Sequence, residues 1–148
     1  EATVELVRIA GSPTYWYGAI FAPGDARNLN GFIAVTIHTQ GRFAVYQYRE
    51  TWNWIFKSAT WETIVEPRFS GNLNQGLKVV NEISATYRDG RLKIAFNGAD
   101  PDAELSVGTY TAGVAAGVYA GVSPEEAEGF PTEPVDVRYR VIQPYAAP

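Results

Sequence analysis

The residues able to do chemistry in this chain are few, and their spacing limits what they can do. Glu62 and Glu66 are the one carboxylate pair on a strand-like segment. In an extended chain their even spacing puts both on one face, but about 13 Å apart at ~3.3 Å per residue, too far for either glycosidase geometry. The reading is therefore two solvated glutamates rather than a catalytic acid and its partner. His38 is the single histidine and no serine sits in a nucleophile-elbow context, so a Ser-His-Asp arrangement has no support and His38 reads as a surface residue near a strand end. Cysteine is absent, which excludes disulfides, thiolate metal sites and cysteine nucleophiles. Asp25, Asn28 and Asn30 share a polar loop and could supply oxygen ligands to Ca²⁺, although one carboxylate is little charge for such a site and the same residues commonly cap a turn. Asp100 and Asp102 belong to another polar loop and would contribute only if the fold brought it near.

Aromatic residues are the other signal. Tyr15-Trp16-Tyr17 and Trp52-Asn53-Trp54 alternate, so in each triplet the outer residues share one face of a strand and the middle one points the other way. Exposed indoles beside polar residues can stack on sugar rings, whereas inward-facing ones are large core residues. Trp52 and Trp54 are expected in the core, leaving Trp16, Trp61 and the tyrosines as surface candidates. A carbohydrate platform would be drawn from Trp16, Tyr46, Tyr48, Trp52, Trp54 and Trp61, with Asn53 or Gln47 bonding hydroxyls.

These residues need strands to position them, and the composition supplies them. The 148 residues include 9 Tyr, 7 Phe and 4 Trp punctuated by 14 Gly and 9 Pro, which suits pleated, half-buried surfaces joined by turns. Alternation predicts a hairpin of Phe32 to His38 with Arg42 to Arg49 across Gly41, and a second of Leu77 to Tyr87 with Arg91 to Phe96 across Asp89-Gly90. Further strands are expected at Thr3 to Ile9, Tyr15 to Phe21, Trp52 to Phe56, Gly113 to Ala120 and Val135 to Ile142, about nine in all. The one helix start, Ser123-Pro124-Glu125-Glu126, is stopped within about a turn by Gly129 and Pro131.

The length fits one domain, residues 1–144, with 145–148 as a tail. With 12 Lys+Arg against 16 Asp+Glu and a net charge of −4, the chain lacks the basic stripe that nucleic acid or an anionic membrane selects. Its longest weakly apolar stretch, Ala112 to Val122, is too short and too glycine-rich for a membrane helix. Beginning at Glu1 without methionine, the chain is expected to be a processed product or an excised fragment, as a cleaved secretion signal or a removed tag would leave it.

The order of motifs resembles the bacterial concanavalin A-like (laminin G-like) lectin/glucanase domains, in the branch related to 3-keto-disaccharide hydrolase-like modules. The features that carry the resemblance are Tyr17-Gly18-Ala19-Ile20-Phe21 followed by Asp25 and Asn28, then Phe32, Gly41-Arg42-Phe43-Ala44-Val45-Tyr46, Trp52 and Trp61. The hairpin Asp89-Gly90-Arg91-Leu92 ending in Phe96-Asn97-Gly98, and Gly113 to Ala120, complete the set. It implies an all-β, antiparallel two-sheet jelly-roll sandwich with a concave face. No catalytic set carries over: Ala22 follows Phe21 where such domains often have Arg, and Val137 to Val141 lacks their Asp-Asn pair. Such domains usually begin with strands before the segment matched by Thr3 to Ile9. Either the chain follows a cleavage or truncation, or an open sheet position is left exposed and blunted, covered by residues 145–148, or filled from a neighbouring chain, with residues 1–9 themselves as a candidate donor. The functional expectation is an extracellular, non-catalytic module for carbohydrate or protein surfaces, with a strand-exchanged filament or surface-layer protomer and a glycan-acting hydrolase as alternatives.

Overall fold

A computed structural model describes residues 2–11, 15–23, 31–52, 54–106, 114–121 and 135–142, with the backbone alone at 22–23, 52, 57 and 114–121. Ten strands run in chain order: β1 (Ala2–Ala10), β2 (Trp16–Pro23), β3 (Ile33–His38), β4 (Arg42–Trp52), β5 (Lys57–Phe69), β6 (Val80–Arg88), β7 (Arg91–Phe96), β8 (Ala103–Ser106), β9 (Val114–Gly121) and β10 (Asp136–Ile142). They form two antiparallel five-stranded sheets, ordered β10-β1-β6-β7-β8 and β5-β4-β3-β2-β9, and the described residues contain no helix. The chain crosses between the sheets after β1, β5, β8 and β9. No helix among the described residues is long and apolar enough to cross a membrane.

The first sheet follows period 2 closely. In β1 every second residue, Ala2, Val4 and Leu6, is buried while its neighbours are partly exposed. These side chains, with Ile83 and Ala85 of β6, Leu92, Ile94 and Phe96 of β7 and Ala103 and Leu105 of β8, meet Tyr17, Ala19 and Phe21 of β2, Ile33, Val35 and Ile37 of β3 and Phe43 and Val45 of β4 in one core between the sheets. Phe43 and Phe96 touch edge to face across it, centroids 5.0 Å apart. Apolar burial in this layer is the main stabilising term, at roughly 1.5–3 kcal/mol for each large side chain removed from water.

Turn chemistry fixes the register. Asp89 and Gly90 both have positive φ, 52° and 77°, which is the type I′ geometry that matches strand twist, and Arg88 pairs with Arg91 across it. In the β3–β4 turn Gly41 has φ +75° and donates to the His38 carbonyl at 3.0 Å. Both expected hairpins therefore form with the expected antiparallel pairing.

Other expectations are corrected. β6 begins at Val80 rather than Leu77: Lys78 has φ 62° and its N–H bonds the Arg8 carbonyl, which breaks extended geometry before the strand. The strand expected at Trp52 to Phe56 is the end of a hairpin, with Trp52 closing β4 and Trp54 and Ile55 in a bend. The strand there is β5, legible only in part around Glu62 and Glu66, and β8 carried too short a pattern, Ala-Glu-Leu-Ser, to be seen. β1 lies inside its sheet, paired on one side with β10 and on the other with β6. The Ser123 to Gly129 helix start and the tail at 145–148 lie outside the described residues.

Candidate aromatic binding face

The central strands of the second sheet, β2 to β4, bury side chains on both faces, and this decides where a ligand could sit. Besides the inward residues, Trp16, Phe32, Ala34, Ala44 and Tyr46 form a separate buried cluster on its outer side, with Ile20 and Tyr48 packed against it. The strands make this possible because their apolar residues do not alternate with polar ones: Ile33 to Ile37 are all buried. Pairing of Gly18 with Thr36, Thr36 with Ala44, Ala34 with Tyr46 and Tyr48 with Trp61 sets the outer side chains in rows across β2 to β5. At Gly18 the strands approach so closely that an added Cβ would lie 2.0 Å from the Val35 carbonyl oxygen.

The aromatic rows end in a rigid corner. Phe32 stacks on Tyr48 with centroids 4.8 Å apart and planes 14° from parallel, and Trp61 meets both rings edge-on at 5.4 and 5.3 Å. The Tyr48 hydroxyl donates to Glu50 Oε1 at 2.9 Å. At the other side of the face the Trp16 ring tilts against His38, centroids 5.2 Å apart.

The platform expected from sequence thus divides. Trp16 and Tyr46 are interior, 6% and 0% exposed, and cannot present a ring face to a ligand in this conformation. Tyr48 is half-buried and Trp61 is 39% exposed, so these two mark the margin where the aromatic layer reaches solvent. Trp54, expected in the core, is 94% exposed, because it sits at the bend between β4 and β5 and not within a strand. Trp52 pairs with Lys57 through the backbone, and Asn53 lies outside the described residues. Gln47 is committed: its Oε1 accepts from Arg49 Nε and Nη2. Sequence reasoning missed Phe32 and Glu50 as neighbours of the platform, since only the β3–β4–β5 register joins them.

The remaining candidates are placed by their partners. Glu62 lies 3.6 Å from Arg49 Nε and is exposed, as is Glu66, and two register shifts between β4 and β5 remove the strict alternation that set both on one face. His38 is half-buried rather than a free surface residue, and its Nδ1 accepts from the Gln40 N–H at 3.2 Å. Asp102 accepts from Ser70 Oγ at 2.5 Å and Asn72 Nδ2 at 3.0 Å, which ties the loop after β5 to the β7–β8 loop. Asp25, Asn28 and Asn30 lie outside the described residues, among which no group of three or more His, Asp or Glu side chains is gathered for a metal.

One buried charge stands apart. Arg8 is fully buried at the end of the interior row of β1, and its Nη1 donates to the Tyr15 carbonyl at 2.7 Å. Its Nε and Nη2 find no acceptor among the described residues. Burial lowers the Arg8 pKa, opposed by Tyr17; burial also raises that of Tyr17, opposed by the Asn81 hydrogen bond and by Arg8. Asn81 is fully used, bonding Asn74 through both its side-chain atoms and also Tyr17 and Asn97, which closes this end of the sandwich.

No family model, curated protein or solved structure matches the chain.

Proposed function

We propose that the chain is a non-catalytic binding module on a concanavalin A-like jelly roll, working outside the cell and taking carbohydrate at the margin of the second sheet's outer face. The observation that carries this reading is the corner of Tyr48, Trp61 and Glu50. It combines a half-exposed indole, held edge-on by two other rings, with a hydroxyl–carboxylate pair that can accept from sugar hydroxyls. Such a wall is already ordered, so a ligand stacking on it pays little side-chain entropy. A single platform of this size supports weak binding. On a panel of neutral oligosaccharides, Trp61→Ala should abolish binding and leave the fold intact. Wild-type protein that binds no glycan on such a panel, or a variant that binds as well as wild type, would contradict the proposal.

A second reading, a structural protomer, is favoured by the long outer edge of β5, a 13-residue strand whose exposed segments at 58–62 and 68–69 could pair with a neighbouring chain. Sedimentation at several concentrations separates the two, because only the protomer grows in size.

A further inference from the structure

β4 and β5 outrun the rest of their sheet. The pairing of β3 with β4 ends at Gln47, and the last bond between them runs from the Tyr48 N–H to the Phe32 carbonyl. From Arg49 opposite Thr60 to Trp52 opposite Lys57, the described residues pair these two strands with each other alone. Four residue pairs at ~3.3 Å per residue give a two-stranded arm about 13 Å long. Its shaft is polar, with Thr51 Oγ1 and Ser58 Oγ 2.6 Å apart, and exposed at Arg49, Thr51, Ser58, Ala59 and Thr60. Its end is the opposite: Trp54, Ile55 and Phe56 are 94%, 54% and 68% exposed.

Three consecutive large apolar residues at a bend are poor turn formers, and here they leave most of their surface in water, so their identity is explained by something that covers them. Standing clear of the sheet at the end of an arm, these three residues present the kind of exposed apolar surface that a bilayer interface takes up. The charges choose between membranes: in number Arg49 and Lys57 are matched by Glu50 and Glu62, and the chain as a whole carries −4, which gives anionic lipid little to select. An indole also suits the boundary where hydrocarbon meets headgroups, since its ring is apolar and its N–H needs an acceptor.

We propose that Trp54, Ile55 and Phe56 insert into the interface of a bilayer with electrically neutral headgroups, holding the domain at the membrane surface by the tip of this arm without spanning it. This does not depend on the carbohydrate reading, which uses Tyr48, Trp61 and Glu50 at the base of the arm and not its tip.

The test is flotation of the full chain with phosphatidylcholine vesicles, paired with tryptophan quenching by brominated phosphatidylcholine. Wild-type protein should float with the vesicles and be quenched, and adding phosphatidylserine or raising salt should not strengthen or weaken binding. Ile55→Ser with Phe56→Ser should lower the partition coefficient by about tenfold or more, since two large apolar groups no longer leave water. The tip is exposed, so the variant should melt as wild type does. Trp54→Phe should keep binding and lose most of the quenching. Absence of flotation at high lipid, binding that requires phosphatidylserine and vanishes in salt, or equal binding by the double variant would overturn the proposal. So would a concentration-dependent dimer abolished by the double variant in protein that does not float.

Discussion

The outer faces of the two sheets are built oppositely. On the first sheet, Arg140 forms a bidentate pair with Glu5, Nη2–Oε1 2.7 Å and Nε–Oε2 2.9 Å, and Glu104 bridges Arg91 at 2.8 Å and Lys93 at 3.7 Å. A shallow depression of about 380 Å³ over the β6–β7 hairpin is lined by Arg91, Lys93 and Glu104 together with Thr86, Arg88 and Asp89. On the second sheet the corresponding face holds Trp16, Phe32 and Tyr46 out of water. The difference shows that an aromatic residue on the outward side of a strand is not thereby a ligand platform. On this face rings reach solvent where the aromatic layer ends, at Trp61 and Tyr48, and where the hairpin leaves the sheet, at Trp54.

The sharpest way to break the comparison is Gly18→Ala. Its Cβ would collide with the Val35 backbone, which cannot yield by rotating a side chain, so a loss of more than about 4 kcal/mol or failure to fold is expected in urea denaturation. A variant that folds normally would mean that β2 and β3 are not so closely apposed.

Next in size is Tyr46→Ala, expected to cost about 3–5 kcal/mol as a large core truncation, against Thr86→Ala on the first sheet's exposed side, expected within about 0.5 kcal/mol. Similar losses at both positions would erase the distinction between the two faces.

The smallest effect is electrostatic. The hydrogen bond from Arg91 holds the Glu104 carboxyl below its ordinary range, against a weaker opposing effect of desolvation and with help from Lys93. A depressed folded-state pKa contributes stability above the unfolded value and loses it as pH falls through the folded one. Glu104 should therefore titrate by NMR below an ordinary glutamate, and Arg91→Ala should move its midpoint up. Both groups are exposed, so the melting temperature should barely change and salt should reduce the shift.

How far the sequence was legible follows from the same contrast. In β1 and β7 strict alternation gives strand, face and core at once, and Asp89-Gly90 names its own turn. In β3 the alternation read from Phe32 to His38 gives the strand, but it cannot say that both faces are buried, and that is what removes Trp16 and Tyr46 from the surface. The Trp54-Ile55-Phe56 tip misled for a physical reason: apolar residues usually signal burial, and nothing local shows that β4 and β5 extend past their neighbours. The corner of Phe32, Tyr48, Trp61 and Glu50 was beyond sequence reading because it depends on register across three strands. Register is fixed there by turns and by shifts between Phe43 and Tyr46 that have no sequence signature.

The central claim, that ligand meets the second sheet at its margin and not on its buried face, is tested most directly by following the four tryptophan indole N–H signals in ¹H–¹⁵N spectra during titration with neutral oligosaccharides. Trp61 should shift progressively and saturate while Trp16 stays in place. A saturating shift of Trp16 with Trp61 unmoved, or no shift of either at the highest sugar concentration, would contradict it.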